Sequence, residues 1–293
     1  MPTTERVIQN HLQKKTIRLG ERQCAYIDMG QQQADRGSVP LIFIHGWCQS
    51  LEYWSDQLLA LSKNHRVIAY DLRGMGDTEG ALRRYSMSDW VQDLYEFQTA
   101  LGVESAILIA HSLGGFIATQ YAATHPQMVR GLCVSATPSD PMSRTDILTY
   151  RLMAGAVSVL RHLGVQNAPA LFWQPIERRW WPKEFVQRKP GVVAQTKAKF
   201  LQVHPTQMMW SLEAMSRQQD LPVLQHPVLA VYAELDPAAP PSKAGGMLDK
   251  FNNHRKVVMD NIGHMLCHEA SQSFTCILQD NLGFLMGQGR PNS

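Results

Sequence analysis

The ten residues Ile107-Leu108-Ile109-Ala110-His111-Ser112-Leu113-Gly114-Gly115-Phe116 restrict the fold more than any other part of this chain. An unbroken aliphatic run suits a strand covered on both faces, and it stops at a serine. Two glycines then open an apolar segment of helical character, so the stretch reads as strand, sharp turn and helix. A serine at the tip of that turn projects away from both elements, beside the free N–H groups and positive dipole end of the helix. Ser112 is therefore a candidate nucleophile.

The rest of the chain supplies the sheet that such a turn needs. Thr16–Leu19 and Cys24–Met29 flank Gly20 and read as an antiparallel opening hairpin, followed by a polar loop over Gln31–Ser38. Pro40–Trp47 and His65–Asp71 are buried-type strands separated by a helix over Ser50–Leu61. A second helix is expected over Ser88–Leu101, with Ser88-Asp89 as its N-cap and Gly102 as its stop. The serine strand and its helix to His125 follow, then a strand over Val129–Ser135. This alternation predicts an α/β fold with a mostly parallel, doubly wound sheet.

Between about Thr137 and Leu221 the pattern turns helical, punctuated by Pro169, Pro175, Pro182, Pro190 and Pro205, and rich in Trp, Phe and Met. The expected organisation is a core built from residues 1–136 and 222–293, with 137–221 as an inserted helical cap. Most of the large apolar residues of the insert suit its own small core. Trp173, Trp181, Met209 and Trp210 are the candidates to line a substrate pocket. Sheet character returns at Pro227–Asp236, a helix is expected over Ser242–Phe251, a last strand over Arg255–Met259, and a closing helix over His268–Leu285.

Composition narrows the function classes. Hydrophobic residues make up 44% and charged residues 18% of the 293, the balance of a globular protein with a sizeable core. A net charge of +3 without a basic cluster gives no reason to expect a nucleic-acid partner. No membrane-length apolar run and no secretory leader are visible, and the five scattered cysteines suit free thiols, so a cytoplasmic location is expected. The spacing His264-x-x-Cys267-His268 lacks a second ligand pair, so Cys267 reads as core and His268 as surface, and no metal or other cofactor is expected.

A serine hydroxyl needs a base, and the base needs a carboxylate to orient it. His264 lies on a glycine-bearing loop after the last strand, and Asp236 lies at the end of the strand before it. Eleven histidines are present. His45 reads as a loop-ordering residue, His111 as pointing away from Ser112, and His268 as a fallback base. Glu234 has the wrong parity for the acid, whereas Asp140, after Val129–Ser135, is a real alternative.

Ala110-His111-Ser112-Leu113-Gly114 resembles the G-x-S-x-G nucleophile elbow of the α/β-hydrolase family, with alanine at the first glycine. The order Ser112, Asp236, His264 is that family's triad order. Asp71-x-Arg73-Gly74-x-Gly76 is similar to a structural turn found there. The resemblance implies a serine hydrolase with an oxyanion hole made by the backbone N–H groups of Trp47 and Leu113. With it, the tryptophans and methionines of the insert motivate a small ester or lactone substrate with an apolar acyl or aryl portion, such as an acyl-homoserine lactone, an acyl methyl ester or an aryl ester. Gly46-Trp47-Cys48 resembles a segment of the cofactor-free 2,4-dioxygenases of 3-hydroxy-4-quinolones, and a C–C bond hydrolase would use the same triad. No oligomeric state can be read from the sequence.

Overall fold

In this computed structural model the described residues are 12–30, 39–138, 144–165, 168, 170, 173–217 and 223–288. Asp140, Pro169, Phe172 and the expected loop Gln31–Ser38 lie outside them. The opening hairpin is β1 (Lys15–Leu19) and β2 (Arg22–Met29), antiparallel, turning at Gly20 with φ +56°. The runs without alternation become interior strands: β3 (Leu41–Ile44), β4 (Val67–Tyr70), β5 (Ala106–His111) and β6 (Val129–Ser135). All residues of β3, β4 and β5 are buried, which is why their sequences carry no polar phase.

β7 (Leu224–Ala233) and β8 (Phe251–Met259) complete an eight-stranded sheet of order β1-β2-β4-β3-β5-β6-β7-β8. It is parallel from β4 to β8 and antiparallel only through β2. Helices flank it: α1 (Ser55–Leu61) packs against the C-terminal helix Ser271–Leu285, and α2 (Met87–Ala100) against α3 (Leu113–Thr124). The chain steps from β3 outward to β4, then returns to place β5 on the other side of β3. The crevice outside the ends of β3 and β5 is thus a switch point, where open α/β sheets bind ligands.

The Asp71 turn joins the loops around that crevice. Asp71 is fully buried; its Oδ1 accepts from Leu51 N–H at 2.6 Å and its Oδ2 from Asp77 N–H at 2.8 Å. Gly76 lies so close that a Cβ would sit 2.2 Å from the Asp71 carboxyl carbon.

Several element boundaries differ from the sequence reading. α2 starts one residue early, at Met87, after an N-cap Ser86 whose capping-box partner is Asp89. The expected helix over Ser242–Phe251 shrinks to short turns at Pro241–Lys243 and at Gly245–Leu248 (α9), interrupted at Ala244 and ended after Leu248. Phe251–His254 join β8 instead, with Phe251 buried opposite Leu224. The closing helix is split at Ala270 into α10 (Leu266–Glu269) and α11 (Ser271–Leu285).

Between β6 and β7 the described residues hold helices and no strand: α4 (Arg144–His162), α5 (Trp173–Trp180), α6 (Lys183–Arg188), α7 (Pro190–Gln202) and α8 (Pro205–Ser216). Pro190 and Pro205 open their helices, where the missing N–H costs nothing, and Pro182 is the residue before α6. Pro175 lies inside the first turn of α5 rather than between helices.

Candidate active site

β5 ends in a strained residue. Ser112 has φ +51° and ψ −115°, a region that a non-glycine residue occupies only when its surroundings force it there. Those surroundings are visible. The Ser112 N–H donates to the Ser135 carbonyl at the end of β6 at 2.9 Å, and its carbonyl accepts from Gly115 N–H at 2.9 Å. The next two residues are closely packed: a Cβ on Gly114 would sit 2.3 Å from the Ile44 carbonyl oxygen, and one on Gly115 2.0 Å from the side-chain Oγ1 of Thr137. Gly114 thus lets α3 start directly against the end of β3, and Gly115 leaves room for the Thr137 side chain beyond β6. Leu113 opens that helix, so its N–H is among the first-turn donors without an intrahelical acceptor.

His264 and Asp236 meet. Asp236 follows the end of β7 and is 2% exposed; His264 follows β8 and is 4% exposed. His264 Nδ1 lies 2.8 Å from Asp236 Oδ2, while Asp236 Oδ1 accepts from the N–H groups of Ala238 (2.7 Å) and Ala239 (3.0 Å). Burial alone would push the Asp236 carboxyl up. The charge and hydrogen bond of His264, with the two amide donors, outweigh it and hold the group below the usual carboxylate range. A carboxylate can only accept, so Nδ1 carries the proton and the Nε2 lone pair is left free to take one.

The other histidines take different places. His45 is buried at the end of β3; its Nε2 accepts from Leu72 N–H at 3.0 Å and its Nδ1–H donates to the Gly46 carbonyl at 2.8 Å, so it does order a loop. Burial pushes its pKa down to about 4. His111, expected to point away from Ser112, turns toward the His264 loop. It is buried, its ring lies 4.9 Å from that of His264, and its Nε2–H donates to the His264 carbonyl at 3.0 Å. His268 is not a surface residue either: its ring stacks on Trp181 at 6.1 Å and lies 4.8 Å from Tyr53. Burial holds it down to about 3.

Glu234 turns outward, and its Oε2 accepts from Asn261 N–H at 2.8 Å. Glu269, which nothing in the sequence reading singled out, accepts from Gly263 N–H at 2.8 Å. Only the spacing of an acid five residues after His264 could have flagged it.

The helices between β6 and β7 lie over this end of the sheet. Trp47 Nε1–H donates to Ser211 Oγ of α8 at 2.8 Å, Gln207 of α8 makes two hydrogen bonds to the Ala81 backbone, and Met265 N–H reaches the Trp180 carbonyl at 3.3 Å. Trp173 and Trp181 are buried in an aromatic cluster with Trp180, Phe185 and Phe200. Met209 and Trp210 are half-buried, with Trp210 against Tyr85. An apolar cavity lies next to them, lined by Trp47 with Tyr150, Met153, Val157, Phe200 and Met208. Met208, not its neighbour, faces that space.

All five cysteines are free thiols, four of them buried. Among the described residues no cluster of His, Cys, Asp or Glu could hold a metal ion, and no helix is long and apolar enough to cross a membrane.

The chain is similar to known proteins over most of its length. A family model described as the alpha/beta hydrolase fold matches residues 39–271. A protein of Stutzerimonas stutzeri (strain A1501), whose name is that of a carbamate hydrolase, RutD, is 25% identical over 254 residues, covering 85% of this chain and 93% of that one. The crystal structure of the enol-lactonase from Burkholderia xenovorans LB400 superposes with a TM-score of 0.82 at 20% identity, covering 92% and 99% of the two chains. A malate-bound thermophilic esterase from Thermogutta terrifontis gives 0.80 at 22% identity, covering 94% and 99%. The strand order, the strained serine at the end of β5 and this family match agree, and the chain belongs to the α/β-hydrolase fold family.

Proposed function

We propose that this protein is a serine hydrolase that cleaves a carboxylic ester or lactone with an apolar acyl or aryl portion. The observation that carries the reading is the buried His264–Asp236 pair at 2.8 Å, on loops at the same end of the sheet as the strained Ser112. His264 Nε2 takes the Ser112 hydroxyl proton as Oγ attacks the acyl carbon, and Asp236 stabilises the imidazolium that forms. The backbone N–H groups of Trp47 and Leu113 receive the oxyanion. The imidazolium then protonates the leaving alkoxide, and a water activated by the same histidine releases the acid from the acyl-enzyme.

The helices of residues 137–221 act as a cap, and the apolar cavity beside Trp47 motivates an apolar substrate portion. The relatives' names support the bond class, since an enol-lactonase, an esterase and a carbamate hydrolase all describe attack at an acyl carbon. The dioxygenase reading would want its acid after β6, yet the carboxylate paired with His264 follows β7, which favours hydrolysis.

A panel of p-nitrophenyl esters, acyl-homoserine lactones and a 3-hydroxy-4-quinolone tests this with wild type and Ser112→Ala. Ester or lactone hydrolysis that vanishes in Ser112→Ala, together with labelling of Ser112 by a fluorophosphonate, is expected. Full esterase activity in Ser112→Ala refutes it.

A further inference from the structure

His264 is held by its backbone as well as by its ring. The Gly263 N–H donates to Glu269 Oε2 at 2.8 Å, and the His264 carbonyl accepts from His111 Nε2–H at 3.0 Å. One arm comes from the end of α10. The other is the last residue of β5, immediately before Ser112. Neither side chain has a part in the proton relay above, yet His111 is buried in the core and Glu269 is half-buried. His111 is fully buried, with its Nδ1 without a partner and facing Gly46, where a Cβ would come within 2.9 Å. The Glu269 Oε1 is buried and unpartnered, and Gly263 has no room for a side chain, with Oε1 at 3.0 Å and Pro182 Cδ at 2.9 Å from where its Cβ would stand.

We propose that His111 and Glu269 are positioning residues that grip the Gly263–His264 dipeptide from its two ends and so set where the His264 imidazole stands relative to Ser112. The proposal rests on reading Ser112, Asp236 and His264 as the triad. Its physical basis is that Asp236 orients the ring about Nδ1 but cannot fix the distance of the whole loop from β5. His111 can, because it belongs to the strand that carries the nucleophile. A base displaced by about 1 Å costs on the order of a hundredfold in rate.

The Glu269 arm is also titratable. The groups that face it are His264, Asp236 and Tyr53. Burial pushes its carboxyl up to about 7, against the Gly263 and Met265 N–H groups and His264, which pull it down, while Asp236 pushes it up. The ionised carboxylate is the stronger acceptor, so the grip tightens as pH rises through that value.

Steady-state kinetics on p-nitrophenyl butyrate from about pH 5.5 to 9, with melting temperatures, test this in wild type, His111→Phe, His111→Gln and Glu269→Gln. His111→Phe keeps a ring but loses the donor; kcat should fall about tenfold to a hundredfold with KM little changed. His111→Gln can place an amide N–H near the same carbonyl and should recover much of that loss. Glu269→Gln, isosteric and uncharged, should lower kcat severalfold on the alkaline plateau and lose the part of the acid limb near neutrality. Kinetics within about twofold of wild type in all three variants overturn the proposal, as does a loss that tracks the melting temperature, leaves the pH profile unmoved and is not rescued by glutamine. If Ser112→Ala is inactive while these variants are unimpaired, only the positioning role falls; if Ser112→Ala is active, the triad reading falls with it.

Discussion

Asp236→Asn is the most informative single change. Asp236 Oδ1 accepts two backbone N–H groups, from Ala238 and Ala239, that cannot reverse direction, and Oδ2 faces His264 Nδ1. An asparagine that keeps its oxygen on the amides must turn its NH2 toward His264. Nδ1 then has to give up its proton, the imidazole carries it on Nε2, and Nε2 can no longer take one from Ser112. Restoring the reactive tautomer means flipping the amide, which leaves two buried N–H donors facing an NH2. At about 1–3 kcal/mol for each unsatisfied donor, the penalty is about 2–6 kcal/mol, or between about 30-fold and 10⁴-fold in kcat. KM should change little, since no substrate contact is removed. The assay is p-nitrophenyl ester hydrolysis with active sites titrated by a fluorophosphonate, which confirms that Ser112 is still presented. A kcat within about fivefold of wild type refutes the reasoning. In that event Asp140→Asn should show the large loss instead, and the acid would come from after β6.

Gly114→Ala places a Cβ 2.3 Å from the Ile44 carbonyl oxygen and 2.8 Å from that of His45, backbone atoms that cannot turn aside. Destabilisation of several kcal/mol, or loss of soluble protein, is expected in urea denaturation, at the upper end of what single substitutions cost. Ser112→Gly removes the proposed nucleophile and also the steric cost of φ +51°, so it should be inactive yet more stable than wild type by about 1 kcal/mol. His45 contributes to the pH dependence of stability. Its folded pKa is lowered to about 4 from an ordinary 6.5, so its contribution is present above 6.5 and is lost as pH falls toward 4. In His45→Asn the stability difference between about pH 7.5 and pH 5 should shrink by about 2 kcal/mol, measured as urea denaturation at both values.

The amino-acid sequence carries the parallel sheet openly, because strands covered on both faces leave unbroken apolar runs, as in Leu41–Ile44 and Ile107–Ala110. It also singled out the serine turn and an acid and a histidine at later strand ends, since catalytic groups of an open α/β sheet gather where the parallel strands finish. The weakest readings were short segments with mixed signals. Ser242–Phe251 has helix-like residues, but its fate was decided by Phe251 finding a buried place opposite Leu224.

Which polar groups face one another follows from the fold and not from the local sequence. That His111 turns toward the His264 loop, 153 positions away, that His268 stacks on Trp181 with Tyr53 tilted against it, and that the Glu269 side chain turns back to hold Gly263 all depend on the folded backbone. The same holds for the helices between β6 and β7, where Met208 rather than Met209 meets the cavity beside Trp47. Periodicity reports whether a residue is buried, but not against what. Burial follows from hydrophobicity, which each residue carries with it, whereas a hydrogen bond needs two atoms within about 3 Å, and only the folded chain brings them there.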